Sequence, residues 1–171
     1  MLDDALTFLR YARRLRRFLA QPLQPDQGVA LVQRMLRERE QNFLRLIQHA
    51  VYGQPNSPYQ KLLRWAGVEY GDIERLVRSE GIEATLERLL DIGVYVSLDE
   101  FKGKRAVQRA QLHLDTKQET FDNPLGTREF RLSTSGSSAR ARRVAANLDH
   151  IIVEGAHRML VWRSIDRPIP H

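Results

Sequence analysis

The sequence contains no cysteine, and this absence excludes several kinds of site at once. A disulfide framework, a thiolate zinc site and a cysteine nucleophile all require that residue. Long apolar runs are missing as well, because no run reaches the roughly 20 residues that a helix needs to cross a bilayer. The first residues mix acids with scattered arginines, whereas a secretory signal places an uninterrupted apolar stretch after its positive charges. We therefore expect a soluble cytoplasmic protein without a membrane span.

Familiar catalytic motifs do not occur either. The chain has no His-Glu-x-x-His, no Gly-x-Ser-x-Gly, no lysine-containing phosphate loop and no Gly-x-Gly-x-x-Gly. His150 and His157 lie two turns apart on one predicted helix face, where an ordinary helix surface is a better interpretation than a metal pair. The sequence therefore predicts no catalytic residue and no metal site within this chain.

Helical patterns fill the first half of the chain. Apolar residues recur at helical spacing, and prolines, glycines and capping residues separate the segments. The predicted helices are Asp3–Leu19, Asp26–Tyr52, Pro58–Ala66, Asp72–Ser79 and Glu83–Asp91. Residues 1–93 are thus predicted to form a helical cluster. Trp65 and Trp162 are expected to pack in the core, as most such aromatic residues do.

The pattern changes from Gly93 onward. Gly93–Val96 and Glu129–Leu132 read as short strands, and Ser97–Glu100 has the spacing of a capping box. A final helix is predicted over Asp149–Arg163, with Asp149 as its N-cap. Residues 94–171 are therefore predicted to contain short strands, a loop and one helix, and the fold class is α/β. We expect poor packing after about Phe101 unless a partner supplies strands, because sheet edges would be exposed.

Arginine is prominent on the first predicted helix. Arg10, Arg13, Arg14 and Arg17 share one face, and the chain carries a formal net charge of +6 with a pI of about 10.0. Such a face suits a nucleic acid or an anionic membrane, although a solvated helix surface is the more ordinary interpretation. Aromatic residues are not interleaved with the arginines, which disfavours nucleic acid as a partner. A basic helical nucleic-acid-binding or adaptor protein remains the alternative function.

The stretch Ser133–Ser138 follows a predicted strand and is the most informative part of the chain. Hydroxyl groups surround one glycine, and Arg140, Arg142 and Arg143 come directly after them. Backbone N–H groups, hydroxyls and positive charge together can hold a polyphosphate, and glycine lets the backbone approach the anion closely. Judged on chemistry alone, a serine-rich turn is more often a plain surface loop.

The stretch Phe130–Arg142 resembles the phosphate loop of the adenylate-forming acyl-activating superfamily. The residues that match its Ser/Thr-Ser-Gly-Ser/Thr-Ser/Thr pattern, and the closing basic residue, are Thr134, Ser135, Gly136, Ser137, Ser138 and Arg142. Ala139 replaces a glycine of that pattern and Ala141 replaces a common proline. Because alanine resists positive φ, these departures favour a stiffer or differently shaped loop.

Two earlier stretches, Tyr52–Leu63 and Gly93–Lys102, are similar to the front of the phenylacetate–CoA ligase and acyl-protein synthetase branch of that superfamily. The resemblance covers roughly Tyr52–Arg163. It implies the incomplete N-terminal part of the adenylate-forming fold, with ATP and Mg²⁺ as cofactors and a carboxylic acid as substrate of the full-length enzyme. Thr134–Ser138 and Arg142 would hold the β- and γ-phosphates. Motifs that the family carries further downstream are not present, so we expect an N-terminal segment that is inactive alone.

Overall fold

Helices dominate the part of the chain that the structure describes, and two small antiparallel sheets accompany them. A computed structural model describes residues 2–125, 130–134, 142–146 and 148–165. Its helices are α1 (Leu2–Ala20), α2 (Pro25–Arg37), α3 (Arg39–Leu46), α4 (Pro58–Trp65), α5 (Tyr70–Asp91), α6 (Leu98–Phe101) and α7 (Leu148–Ile165). Its strands are β1 (Val107–Arg109), β2 (Leu112–Leu114), β3 (Phe130–Thr134) and β4 (Arg142–Ala146). The predicted mixture of mainly helical first half and little β structure is confirmed at this coarse level.

The chain divides into two compact units that differ from the predicted division at Gly93. The central unit spans Glu38–Leu125, and the terminal unit is drawn from Met1–Arg37 and Gly126–His171. Residues 94–125 therefore belong with the preceding helices rather than with the segment that carries β3, β4 and α7.

The core of the central unit lies where α4 and α5 meet the β1–β2 hairpin. Its buried apolar residues are Val51, Leu62, Leu63, Ile73, Val77, Ile82, Leu89, Val94 and Val107. Val107 is fully buried, and Thr116 donates its hydroxyl to the carbonyl oxygen of Glu100 at 2.6 Å. The expectation of poor packing after Phe101 is thus wrong for this hairpin, since β1 and β2 pair with each other and cover the helices.

Several predicted helix ends are confirmed. Ser57 precedes Pro58 at the first turn of α4, and Ser97 forms a capping box with Glu100 at the start of α6. Gly81 has φ 85° and is not helical, so it separates two helical segments within α5, as the two short helices predicted around it require. A left-handed residue of this kind is accessible to glycine at low cost.

Two predicted elements differ in the structure. The long helix Asp26–Tyr52 is broken at Glu38, and residues Ile47–Tyr52 form a π-helical turn. Gly93–Val96 is not a strand, because the carbonyl oxygens of Gly93 and Tyr95 accept hydrogen bonds from the Arg109 side chain at 3.0 and 2.8 Å. The Arg109 side chain thereby supplies hydrogen-bond donors that a neighbouring strand would otherwise supply.

The terminal unit is built on the packing of α2 against α7. Gly28 permits this approach, since a Cβ atom there would lie 2.9 Å from the Met159 sulfur. Ala156 is fully buried at the same contact, and Arg163 donates to Asp26 at 2.7 Å. Trp162 is 69% exposed, so the prediction that it packs in the core is wrong.

None of the helices within the described residues is long and apolar enough to span a membrane.

Candidate phosphate-binding hairpin

Two antiparallel strands, β3 and β4, precede and follow the motif that is predicted to bind phosphate. Strands β3 and β4 pair along their whole length, from Phe130 opposite Ala146 to Thr134 opposite Arg142. The apolar and β-branched residues of the two strands suit such a ribbon. Sequence reasoning predicted the first strand and did not predict the second.

The structure brings together the first and last residues of the predicted site. Thr134 ends β3 and Arg142 begins β4, and the two residues are direct partners in the register. Ser135, Gly136, Ser137 and Ser138 lie outside the described residues. Their predicted role in phosphate binding stays a prediction.

Pairing of Thr134 with Arg142 places the backbones of these two residues about 5 Å apart, as in any antiparallel pair. The end of β3 and the start of β4 therefore lie side by side. A hydroxyl-bearing residue and an arginine stand at the two ends of the connection between these strands. This arrangement suits an anion, because arginine and hydroxyl groups both donate hydrogen bonds to phosphate oxygens.

The register separates two neighbouring arginines. Arg142 lies opposite Thr134, whereas Arg143 lies opposite Ser133. Successive residues of a strand belong to opposite faces, so these two arginines occupy different faces of the ribbon. Arg142 alone is thus paired with the motif residue that opens the connection.

Helix α7 follows β4 closely in sequence, and an ion pair connects its first turn to α1. Asp149 lies in the first turn of α7 rather than at the N-cap position predicted for it, because the helix already begins at Leu148. Arg14 donates to the Asp149 carboxylate at 2.9 Å. One arginine of the predicted basic stripe, Arg14, therefore forms an ion pair within the terminal unit.

The central unit contains a buried ion pair that sequence reasoning missed. Glu100 is 1% exposed and accepts hydrogen bonds from Arg109 at 2.9 Å and from the Ser97 backbone N–H at 2.7 Å. The Arg109 hydrogen bond is the main reason why the pKa of Glu100 is lowered to about 2. The Arg109 guanidinium also lies 4.0 Å from the centre of the Tyr95 ring.

This ion pair has a structural role, because it links β1, the start of α6 and the segment before α6. Both carboxylate oxygens of Glu100 and all three nitrogens of the Arg109 guanidinium have hydrogen-bond partners. No donor or acceptor is left to face a substrate. The capping-box spacing of Ser97 and Glu100 could be read from sequence, but the arginine partner on β1 could not.

The terminal unit also has a shallow cleft on its surface. It has a volume of about 450 Å³ and is lined by Val29, Gln33, Leu160, Arg163 and Ser164. The charge of Arg163 is already matched by Asp26 at 2.7 Å. Across the described segments no group of three or more histidine or acidic side chains could hold a metal ion.

The chain matches no protein-family model, no curated protein and no solved structure. Its function is therefore inferred from its own residues and geometry.

Proposed function

We propose that this chain is the N-terminal segment of an ATP-dependent carboxylate-activating enzyme, which forms an acyl adenylate and then an acyl thioester. The proposal starts from the resemblance of Phe130–Arg142 to the phosphate loop of adenylate-forming enzymes. The observation that carries it is the register of the hairpin, in which Thr134 and Arg142 are partners. The two ends of the motif therefore meet, as a loop that encloses an anion requires.

The polyphosphate of ATP fits the residues at this position. Arg142 supplies a permanent positive charge, and Thr134 supplies a hydroxyl that donates without adding charge. Ser135, Gly136, Ser137 and Ser138 would add hydroxyl and backbone N–H donors from the connection. Together these groups would hold the β- and γ-phosphates and offset their negative charge while pyrophosphate departs.

Magnesium would be held by the nucleotide more than by this chain. The described residues offer no cluster of carboxylates for a cation. Mg²⁺ in nucleotide sites is commonly bound through phosphate oxygens and retained water, with one or two carboxylates. When bound, it would neutralise charge on the phosphates. The carboxylic acid and the acceptor thiol belong to the proposed reaction of the full-length enzyme.

Nucleotide binding by the full chain is the direct test, measured by calorimetry with MgATP, with AMP and with inorganic tripolyphosphate. We expect MgATP to bind and Arg142→Gln to weaken it at least about tenfold, since a hydrogen bond to a charged group contributes roughly 1.5–3 kcal/mol. Gly136→Val should abolish the protection that ATP gives against heat.

Arg143→Gln is the matched control, because it removes the same charge from the neighbouring position on the other face. It should leave ATP affinity within about twofold. Equal losses for Arg142→Gln and Arg143→Gln, or no ATP binding by the unmodified chain, would refute the proposal. Binding that ignores the adenine and falls steeply with salt would point instead to the basic nucleic-acid-binding alternative.

A further inference from the structure

One face of α1 combines exposed arginines with exposed leucines. Arg13, Arg16 and Arg17 are exposed, and they follow Leu9 at the i+4, i+7 and i+8 positions of the helix. Leu9 is 59% exposed, and Leu19, beside Arg16 on the helix surface, is 68% exposed. Positive charge and apolar area are thus presented together on one surface, here called the α1 face.

The charges of the α1 face are not neutralised within the described part of the chain. Arg13, Arg16 and Arg17 form no ion pair with any described carboxylate, in contrast to Arg14 with its partner Asp149. An amphipathic helix normally turns its leucines inward. Here two leucines face outward beside three charges that no described carboxylate matches.

The rest of α1 is also incompletely covered. Its remaining apolar residues of described burial are Ala12, Leu15 and Phe18, which are half-buried, and Ala20, which is exposed; no α1 residue of described burial is fully buried. The helix therefore retains apolar surface that can enter another apolar environment at little cost in lost packing.

We propose that the α1 face binds the surface of an anionic lipid bilayer. Arginines bind lipid phosphates and anionic headgroups, while exposed leucines enter the boundary between headgroups and acyl chains. A second copy of the same face is excluded as the occupant, because three like charges would oppose three others. A nucleic acid would match the charges but would leave Leu9 and Leu19 without an apolar partner. The bilayer surface satisfies both properties of the face.

Vesicle flotation of the full chain tests this proposal. The probes are vesicles of phosphatidylcholine alone and vesicles of phosphatidylcholine mixed with phosphatidylserine. We expect binding to the mixed vesicles only. A basic residue near an anionic surface contributes about fivefold to binding, so the triple variant Arg13→Gln, Arg16→Gln, Arg17→Gln should bind on the order of a hundredfold more weakly.

Lys61, Lys104 and Lys117 of the central unit provide the matched control, because they are exposed and their replacement by glutamine removes the same number of charges. This triple variant should retain most of the binding. Leu19→Ser should weaken vesicle binding about tenfold and leave binding to a heparin column unchanged.

Three results would overturn the proposal: equal losses for the two triple variants, equal binding to both kinds of vesicle, or no effect of Leu19→Ser. Binding to a DNA duplex in place of vesicles, lost in the arginine variant, would overturn it in favour of a nucleic acid. Circular dichroism should show unchanged helix content in every variant, since the replaced side chains are exposed.

Discussion

Replacement of Glu100 by glutamine tests how the central unit is held together. The carboxylate of Glu100 is almost completely buried and accepts hydrogen bonds from Arg109 and from the backbone of Ser97. Glutamine keeps the shape of the side chain but removes its charge. The Arg109 guanidinium, whose side chain is only 10% exposed, would then be buried without a countercharge.

The size of the effect follows from the pKa of Glu100, which falls from 4.5 to about 2 on folding. A shift of that size corresponds to about 3 kcal/mol of stability. Because the folded pKa is the lower one, this contribution is fully present above 4.5 and is lost as the pH falls through about 2. Breaking a buried ion pair by removing one partner costs about 3–5 kcal/mol, which agrees in magnitude.

Urea unfolding followed by the fluorescence of Trp65 is the assay. The chain has two tryptophans, so a Trp162→Phe background makes Trp65 the sole reporter, and Trp65 belongs to the central unit. We expect Glu100→Gln to lower the free energy of unfolding by about 3 kcal/mol near pH 7. Near pH 3 the loss should be about half as large, because the carboxylate is then protonated in the unfolded state and partly protonated in the folded state.

Glu83→Gln in the same background is the control. Glu83 is paired with Arg39, but both side chains are largely exposed, and exposed pairs contribute little. We expect no measurable change in the free energy of unfolding. If Glu100→Gln had as small an effect as Glu83→Gln, or the same effect at both pH values, the reasoning from burial and pKa would be refuted.

Four further predictions concern three glycines and a tyrosine. Gly93→Ala should lower the stability of the central unit by about 1–3 kcal/mol in urea unfolding, because φ is 87° and the new Cβ would lie 3.2 Å from the Trp65 ring. Gly71→Ala, in helix α5 with open space around it, should raise stability by about 0.5–1 kcal/mol in the same assay. Gly28→Ala should change the melting temperature of the terminal unit only slightly, followed by Trp162 fluorescence, because the flexible Met159 side chain can move away from the new methyl group while alanine favours the helix. Burial raises the pKa of Tyr52 to about 12, so absorbance titration should show a late-ionising component that Tyr52→Phe removes, and the contribution of Tyr52 to stability should be lost as the pH rises above about 10.

Helices were the most predictable part of the fold because their signals are local. The Ser57-Pro58 start of α4 and the capping box of Ser97 and Glu100 each lie within four residues of sequence. Gly81 was read correctly as a helix boundary, and its φ of 85° shows why glycine stands there. Such elements require no knowledge of distant partners.

Prediction was wrong where a distant side chain decides the local structure. Gly93–Val96 has the composition of a strand, but its carbonyl groups accept hydrogen bonds from Arg109, which lies on β1. Trp162 was expected in the core, yet α7 turns Ala156 toward α2 and leaves Trp162 exposed. Close packing at Gly28 selects the small residue of α7, and that choice depends on a helix more than 100 residues away in sequence.

At the candidate site, too, the types of residue were predictable from sequence, whereas their spatial arrangement was not. The kinds of residue could be read from Thr134–Ser138 and Arg142, because a phosphate site needs hydroxyls, glycine and positive charge within a short stretch. The resemblance indicated Arg142 as the closing basic residue, but which of Arg142 and Arg143 lies opposite Thr134 could not be read, since the register depends on how β4 pairs with β3. A slip of one residue would place Arg143 opposite Thr134 and move Arg142 to the other face. The comparison of Arg142→Gln with Arg143→Gln therefore tests the register and the proposed phosphate site together, because only the pairing found here would make Arg142 the arginine that the proposed ATP site needs.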